Sequence, residues 1–246
     1  MPSVSDRLLD AILATKEMRF PVDIVLVCIR WYAVCPLGYR HLEEMTEERG
    51  VFVEHSSGHH LDVNHWAIRF LPLLEKVFRQ HKRPVGGSWR MNKTYIQAKG
   101  DWKYLHRAVN KQGKTVDFLF TAQRDKAAAM CFLDKPMKAS SIPEKVIIGK
   151  SGANKAAMDG INASRVTPIV IRQVKYLNNI VEQDYRAIKR VIIPMLNSKS
   201  FRAVRNVLVG VELMHIIRKG QLLLQGCIKL SFANQFHALA GPIRLA

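Results

Sequence analysis

The sequence predicts an α/β protein in which a helical N-terminal region precedes a mixed sheet, three antiparallel strands first and helix-linked strands after them. Three observations lead to that expectation. Apolar residues recur at helical spacing over the first 80 or so residues. Between about 89 and 121 the pattern changes to alternation, rich in aromatic and branched residues. Helical stretches then alternate with short apolar runs toward the C-terminus. With 246 residues, 48% of them apolar, the chain can bury a sizeable core.

Ser5 or Asp6 is positioned to cap a short helix carrying Leu8, Leu9, Ile12 and Leu13. Pro21 suits the first turn of a second helix over 22–35. A third, 39–49, carries Leu42 and Met45 inward with glutamates outside, and Gly50 is its C-cap. A fourth, 63–80, places Trp66, Phe70, Leu73, Leu74 and Val77 on one face, with Pro72 as a possible kink. Short helices joined by tight turns ahead of a basic region fit a helix-turn-helix, whose second helix enters the major groove of DNA. A plain helical bundle has the same periodicity.

Residues 81–88 have no period and contain Lys82, Arg83, Pro84, Gly86 and Gly87, which reads as a linker. Strands follow at 89–98, 102–109 and 115–121, separated by Lys99-Gly100-Asp101 and by Asn110-Lys111-Gln112-Gly113. An Ala-rich helix is expected over 124–133, a buried strand over 145–148, a helix over 153–161, a strand over 167–171, and helices over 179–193 and 201–219. The order βββαβαβαα is the ribonuclease H-like order, a sheet with helices on both faces. The expected domains are a helical, helix-turn-helix-like DNA-binding domain over 1–80, a linker over 81–88, a ribonuclease H-like domain over 89–222 and a C-terminal tail over 223–246.

Charge narrows the partner. Against 20 acidic residues stand 38 Lys and Arg, a net charge of +18, which repels basic surfaces and draws in polyanions, nucleic acid foremost. The longest apolar stretch, 24–29, is too short to cross a bilayer, and Asp6 and Asp10 interrupt any signal-peptide core, so a cytoplasmic, nucleoid-associated protein without a membrane partner is expected. Cys28, Cys35, Cys131 and Cys227 lack the paired spacing of a zinc site and read as buried thiols. His55, His59, His60 and His65 cluster in a stretch with Ser56, Ser57 and Gly58, a loop rather than a chelating helix.

In an open sheet of this kind functional groups gather at neighbouring strand ends, which directs attention to the first strand, to the residue after the fourth, and to the helix after the fifth. Phosphoryl transfer on DNA with this fold requires carboxylates from three such elements to hold two Mg²⁺. The last position has Glu182, seven residues before Lys189 and on the same helical face. The first strand offers Asn92, and the position after the fourth offers Gly149. Arg172, Lys175, Arg186, Lys189 and Arg190 bracket Glu182, either as a solvated face or as cations for DNA phosphates around a metal-binding carboxylate; Lys82 and Arg83 are further DNA-binding candidates. Asp101 and Asp117 match no ligand position, and Asp184 points about 200° around the helix from Glu182.

Several strings, taken together, resemble the DDE transposases of the insertion sequence six family. They are Tyr39-Arg40-His41-Leu42-Glu43-Glu44-Met45; residues 89–96; Asp101-Trp102-Lys103-Tyr104-Leu105 through Arg107-Ala108-Val109; Arg172-Gln173-Val174-Lys175-Tyr176-Leu177-Asn178-Asn179; and Met214-His215-Ile216-Ile217-Arg218-Lys219-Gly220-Gln221. The resemblance covers roughly residues 20–230. It implies binding of terminal inverted repeats, DNA cleavage and strand transfer with two Mg²⁺, and a homodimer or higher oligomer on DNA. It further implies Glu182 as the third metal ligand and Lys189 as a phosphate contact.

Members of that family carry Asp at the positions of Asn92 and Gly149, and usually Glu at that of Lys93. The resemblance therefore implies a copy with two of three catalytic acids replaced and its chemistry impaired. Strand alternation aims Lys93 at the face opposite Asn92. The segment 56–63 also departs from the family, as do Asn197-Ser198 after Met195-Leu196. A non-catalytic DNA-binding protein, repressor-like or inert, is the alternative; an unrelated helix-turn-helix regulator fits the strand pattern less well.

Overall fold

The computed structural model describes residues 20–53, 63–139, 142–149, 151–174, 178–195, 200–223 and 230–239. The expected helix around 8–13, the histidine-rich segment of residues 55–60 and Cys227 lie outside them. In chain order the elements are α1 (Val22–Val34), α2 (Tyr39–Glu47), α3 (Val63–Gln80), β1 (Ser88–Ala98), β2 (Asp101–Asn110), β3 (Thr115–Thr121), α4 (Lys126–Ala139), β4 (Lys145–Ile148), α5 (Gly152–Ala163), β5 (Val170–Gln173), α6 (Asn179–Ile192), α7 (Phe201–Arg218) and α8 (Phe232–Leu239). They fall into two compact units, Pro84–Lys189 and the combination of Met1–Arg83 with Arg190–Ala246.

The sheet unit has the strand order β3-β2-β1-β4-β5. β1 pairs antiparallel with β2 and β2 with β3, while β4 and β5 run parallel to β1. This is the ribonuclease H-like mixed sheet that the strand pattern predicted. The turn between β1 and β2 is Lys99-Gly100, with φ of 51° and 88°, the left-handed pair that a tight hairpin requires. Alternation sends Trp89 and Met91 of β1, Ala108 of β2, and Val146 and Ile148 of β4 into a core with Phe132 and Leu133 of α4 and Met158 of α5.

Two elements differ from expectation. The helix expected over 124–133 starts at Lys126, because Asp125 accepts the backbone N–H of Ala128 as a cap, and it continues through Pro136 with Met137 against the core. The strand expected over 167–171 is Val170–Gln173. Its start is set by pairing, Lys145 opposite Val170, and by Asn162, whose side chain both donates to the carbonyl of Ile169 and accepts its N–H.

The other unit is helical. α1, α3 and α7 pack on one another. A Cβ built on Gly210 of α7 would lie 2.8 Å from Leu71 of α3 and 3.1 Å from the Cβ of Ala33 in α1, so the absence of a side chain permits the close crossing. Gly50, with φ of 72°, ends the turn after α2 as expected of a C-cap. α7, which the sequence placed with the catalytic domain, thus belongs with the N-terminal helices. The segment expected as a tail contains α8, whose Phe236 is buried against Phe78. Among the described cysteines Cys28 is buried, Cys35 half-buried and Cys131 exposed, so burial as a class does not hold. No helix among the described residues is long and apolar enough to cross a membrane.

Candidate active site

Alternation along β1 puts Asn92 on the face away from α4 and α5, with Arg107 of β2 as its cross-strand neighbour. β4 sends Val146 and Ile148 to the core, and the following residue, Gly149, comes to the face of Asn92. A Cβ built on Gly149 would lie 4.0 Å from Asn92 Oδ1 and 3.5 Å from Asn178 Nδ2, both ordinary contacts. Gly149 is not among the positive-φ glycines, so its backbone accepts a side chain without strain.

α6 crosses this face and is tied down at two points. The Tyr185 hydroxyl lies 2.7 Å from the carbonyl oxygen of Asn92 and 3.0 Å from that of Leu105, its proton shared between them. Asp184 accepts from Arg107 through Nε at 3.0 Å and Nη2 at 2.8 Å, and Nη2 also donates to Thr115. Asn178, just before the helix, is 2% exposed beside Gly149. Glu182 lies in the first turn of α6, one turn after Asn178 and three residues before Tyr185, with an exposed side chain. The turn carrying Glu182 thus follows the buried Asn178 beside Gly149 and is anchored at its far end by Tyr185 on Asn92.

Arg172 is exposed on β5 and, because Ile171 packs toward the core, it shares the Asn92 face. Arg186 is exposed on α6, and Lys189 is half-buried, which lowers its ammonium pKa from the ordinary lysine value. Arg83 and Arg190 are exposed and Lys82 half-buried, all in the helical unit; Lys175 lies outside the described residues.

Lys93 points to the opposite face, as alternation requires, where its Nζ donates to Ser151 Oγ at 3.1 Å. Its pKa is lowered, first by burial and then by the nearby Arg124 charge. Asp117 is buried on the α4 side, with its Oδ1 3.6 Å from Lys135. Asp101 pairs with Lys103, and Asp184 is held by Arg107. Among the described residues no three His, Cys, Asp or Glu side chains come together as metal ligands. The donors at the three positions are one carboxylate, one carboxamide whose oxygen accepts the N–H of Lys93, and no side chain at all. That set does not fit a pair of Mg²⁺, which need several anionic oxygens.

Sequence reasoning missed Asn178, Arg107 and Tyr185 as members of the site, although Asn178 and Arg107 stand in the family-like strings. Opposite Lys93, His106 is fully buried with neither ring nitrogen hydrogen-bonded, and its pKa falls to about 4, chiefly through burial, then through the Lys93 charge, with Asp125 acting the other way. Above pH about 6.5 the ring is neutral folded or unfolded. Below that pH only the unfolded chain takes up the proton readily, so stability falls as pH drops toward 4. About 3 kcal/mol should be lost over that window, and His106→Phe should flatten that part of the profile. Urea midpoints of both proteins between pH 4 and 7 measure the difference; parallel profiles would refute it.

A ribonuclease H-like sheet crossed by an anchored helix, with candidate positions on β1, after β4 and on that helix, defines the architecture of a DDE recombinase. Residues 86–221 match the family described as a DDE domain, of the IS240 transposase type. Over 205 residues the chain is 33% identical to the transposase for insertion sequence-like element IS431mec of Staphylococcus aureus, covering 83% of this chain and 88% of that protein. It has the same identity and coverage with the transposase for insertion sequence element IS257 in transposon Tn4003 of the same organism. The chain belongs to the insertion sequence six family of DDE transposases. Among solved structures, a chain of a simian T-cell lymphotropic virus intasome matches with a TM-score of 0.40 and 15% identity, over 64% of this chain and 57% of that one, little more than half its length. The HTLV-2 integrase catalytic core domain in complex with magnesium matches with a TM-score of 0.37 and 14% identity, over 64% and 84% respectively.

Proposed function

We propose that this transposase binds DNA at the terminal inverted repeats of its insertion sequence, as a homodimer or higher oligomer, and that its cleavage and strand-transfer chemistry is impaired. The observation that carries the reading is the meeting of Asn92 and Gly149: a side chain on Gly149 would stand 4.0 Å from the Asn92 oxygen, and neither residue bears a carboxylate. Glu182 alone supplies an anionic ligand there. Hard divalent cations held by one acid and a carboxamide bind weakly, so the paired-metal chemistry of the family is lost while the basic surface remains.

DNA binding is supported by the +18 net charge and by exposed Arg172 and Arg186 on the sheet unit and Arg83 and Arg190 on the helical unit. Lys189, with its ammonium eased toward the neutral form by burial, stands two turns from Glu182 on the same helical face as a phosphate contact. The helical N-terminal region, α1 to α3, reads as the helix-turn-helix-like module that selects the repeats.

Binding of a duplex carrying the flanking repeats should be tight at low salt and weaken steeply with salt. Six to ten phosphate contacts correspond to a loss of about 10³–10⁵ in affinity between 50 and 200 mM. No strand should be nicked when Mg²⁺ or Mn²⁺ is added to that complex. Salt-independent binding would remove the DNA reading, and metal-dependent nicking by the unaltered chain would remove the impairment. Magnesium titrated into the protein, followed calorimetrically, should give no binding in the micromolar range.

A further inference from the structure

The β1–β2 hairpin carries a feature that the site around Asn92 does not use. Register pairs Tyr95 with Tyr104 and Gln97 with Trp102, which puts the three aromatic rings on one face. Tyr95 and Tyr104 lie 5.3 Å apart, and Tyr95 and Trp102 meet edge to face at 6.4 Å. Clusters of this kind normally fill a core. Here Trp102 is 62% exposed and Tyr95 45%, whereas Trp66 and Trp89 are buried and Trp31 half-buried.

The surroundings are cationic. Arg124 Nη1 donates to the Tyr95 hydroxyl at 2.8 Å and, among the described residues, has no acidic partner. Lys93 lies on the same face one pair along, and the one acid of the hairpin, Asp101, is occupied by Lys103. The tight Lys99-Gly100 turn fixes the two strands, so the rings are held ready without ordering a loop. Asn92 stands three residues back along β1, roughly 10 Å, and on the other face, so the rings are separate from the candidate active site.

We propose that Trp102, Tyr95 and Tyr104, flanked by Arg124, form a stacking site for unpaired bases of single-stranded DNA. The inference rests on the DNA-binding reading above and adds the form of DNA taken. Flat exposed rings bind the faces of bases, which a duplex hides in its stack, and a guanidinium beside them meets the backbone charge. A second copy of this chain, itself at +18, is repelled from a cationic face, and a lipid surface is not expected to favour a short ladder fixed in a strand pair.

The test compares a dye-labelled oligothymidylate of about 20 nucleotides, long enough for one such site, with a duplex of the same length on the full chain. Trp102→Ala should weaken single-strand binding roughly 10-fold while changing duplex binding less than about twofold, and Trp102→Phe should retain most of the affinity. Single-stranded DNA should quench tryptophan emission in the unaltered chain and not in Trp102→Phe. Arg124→Ala, which leaves the hairpin intact, should weaken the same complex and flatten its salt dependence. No change in single-strand binding in either variant, an equal loss on both DNAs, or a changed oligomeric state with single-strand affinity intact would overturn the proposal. Failure of the unaltered chain to bind either DNA overturns the DNA reading itself, and that is read without any substitution.

Discussion

Replacing Asp184 by Ala is expected to cost about 3–5 kcal/mol of folding stability, a large share of what a domain of this size has. Arg107 is fully buried and always charged, and its side chain is bound by Asp184 on α6 and by Thr115 on β3. Removing the carboxylate takes the charged partner away from a guanidinium held in the interior. Replacing both members, as Arg107→Met with Asp184→Leu, should recover most of the loss, because a well-packed apolar pair avoids the desolvation of two charges. Urea unfolding of the two single variants and the double variant measures the coupling. A single variant losing less than about 1 kcal/mol would mean that the pair is an exposed one in practice. Since Asp184 lies two residues after Glu182, losing the pair should also loosen the turn that carries Glu182.

Restoring acids at the two altered positions is expected to have the larger effect on function. Asn92→Asp together with Gly149→Asp should confer Mg²⁺-dependent nicking on DNA carrying the flanking repeats, and neither single change should do so. Metal-ion chemistry of this type accelerates hydrolysis by many orders of magnitude, so the readout is activity against none. Space for the change exists: a Cβ on residue 149 meets nothing nearer than 3.5 Å, and the backbone there is not left-handed. The nearest atom is Asn178 Nδ2, a donor suited to a new carboxylate. Lys93 need not change, because its ammonium lies on the other face at Ser151. Two carboxylates this close repel each other without a cation, so Mg²⁺ should raise the melting temperature of the doubly substituted protein and leave that of the parent unmoved. A double variant that gains this thermal response yet stays inert would show that the acids meet but that Glu182 does not complete the site.

Much of the fold was legible in the sequence because local and global signals agreed. The three antiparallel strands are rich in aromatic and branched residues between turn residues, and Gly100 and Gly50 occupy the left-handed positions that their residue type suggests. Boundaries slipped where a distant partner decides. β5 begins where β4 pairs with it, and Asn162 holds the residue before it, neither of which a run of Thr, Pro, Ile and Val discloses. α7 was read as part of a catalytic domain because it follows α6 in sequence, yet its apolar surface packs on α1 and α3, well over a hundred residues earlier.

For the candidate site, the meeting of positions 92 and 149 followed from strand order alone, since parallel β1 and β4 are neighbours. The anchors of α6 did not. An arginine in the middle of β2 reads as a break in the apolar pattern, and its partner Asp184 lies 77 residues away. Tyr185 reads as one more apolar position on α6, and only its contact with the Asn92 carbonyl reveals that it fastens the helix to the sheet.

The helical unit is discontinuous in sequence, with the sheet unit inserted after Arg83 and ended at Lys189. During synthesis the inserted unit therefore leaves the ribosome complete, while α1 and α3 still lack the helix against which they pack. Until residues 201–218 emerge, the groove that Gly210 will enter beside Leu71 and Ala33 presents bare apolar surface to its surroundings. Folding of the nascent chain is thus expected to run from the middle outward, with an early stop in translation stranding the leading helices rather than the strands.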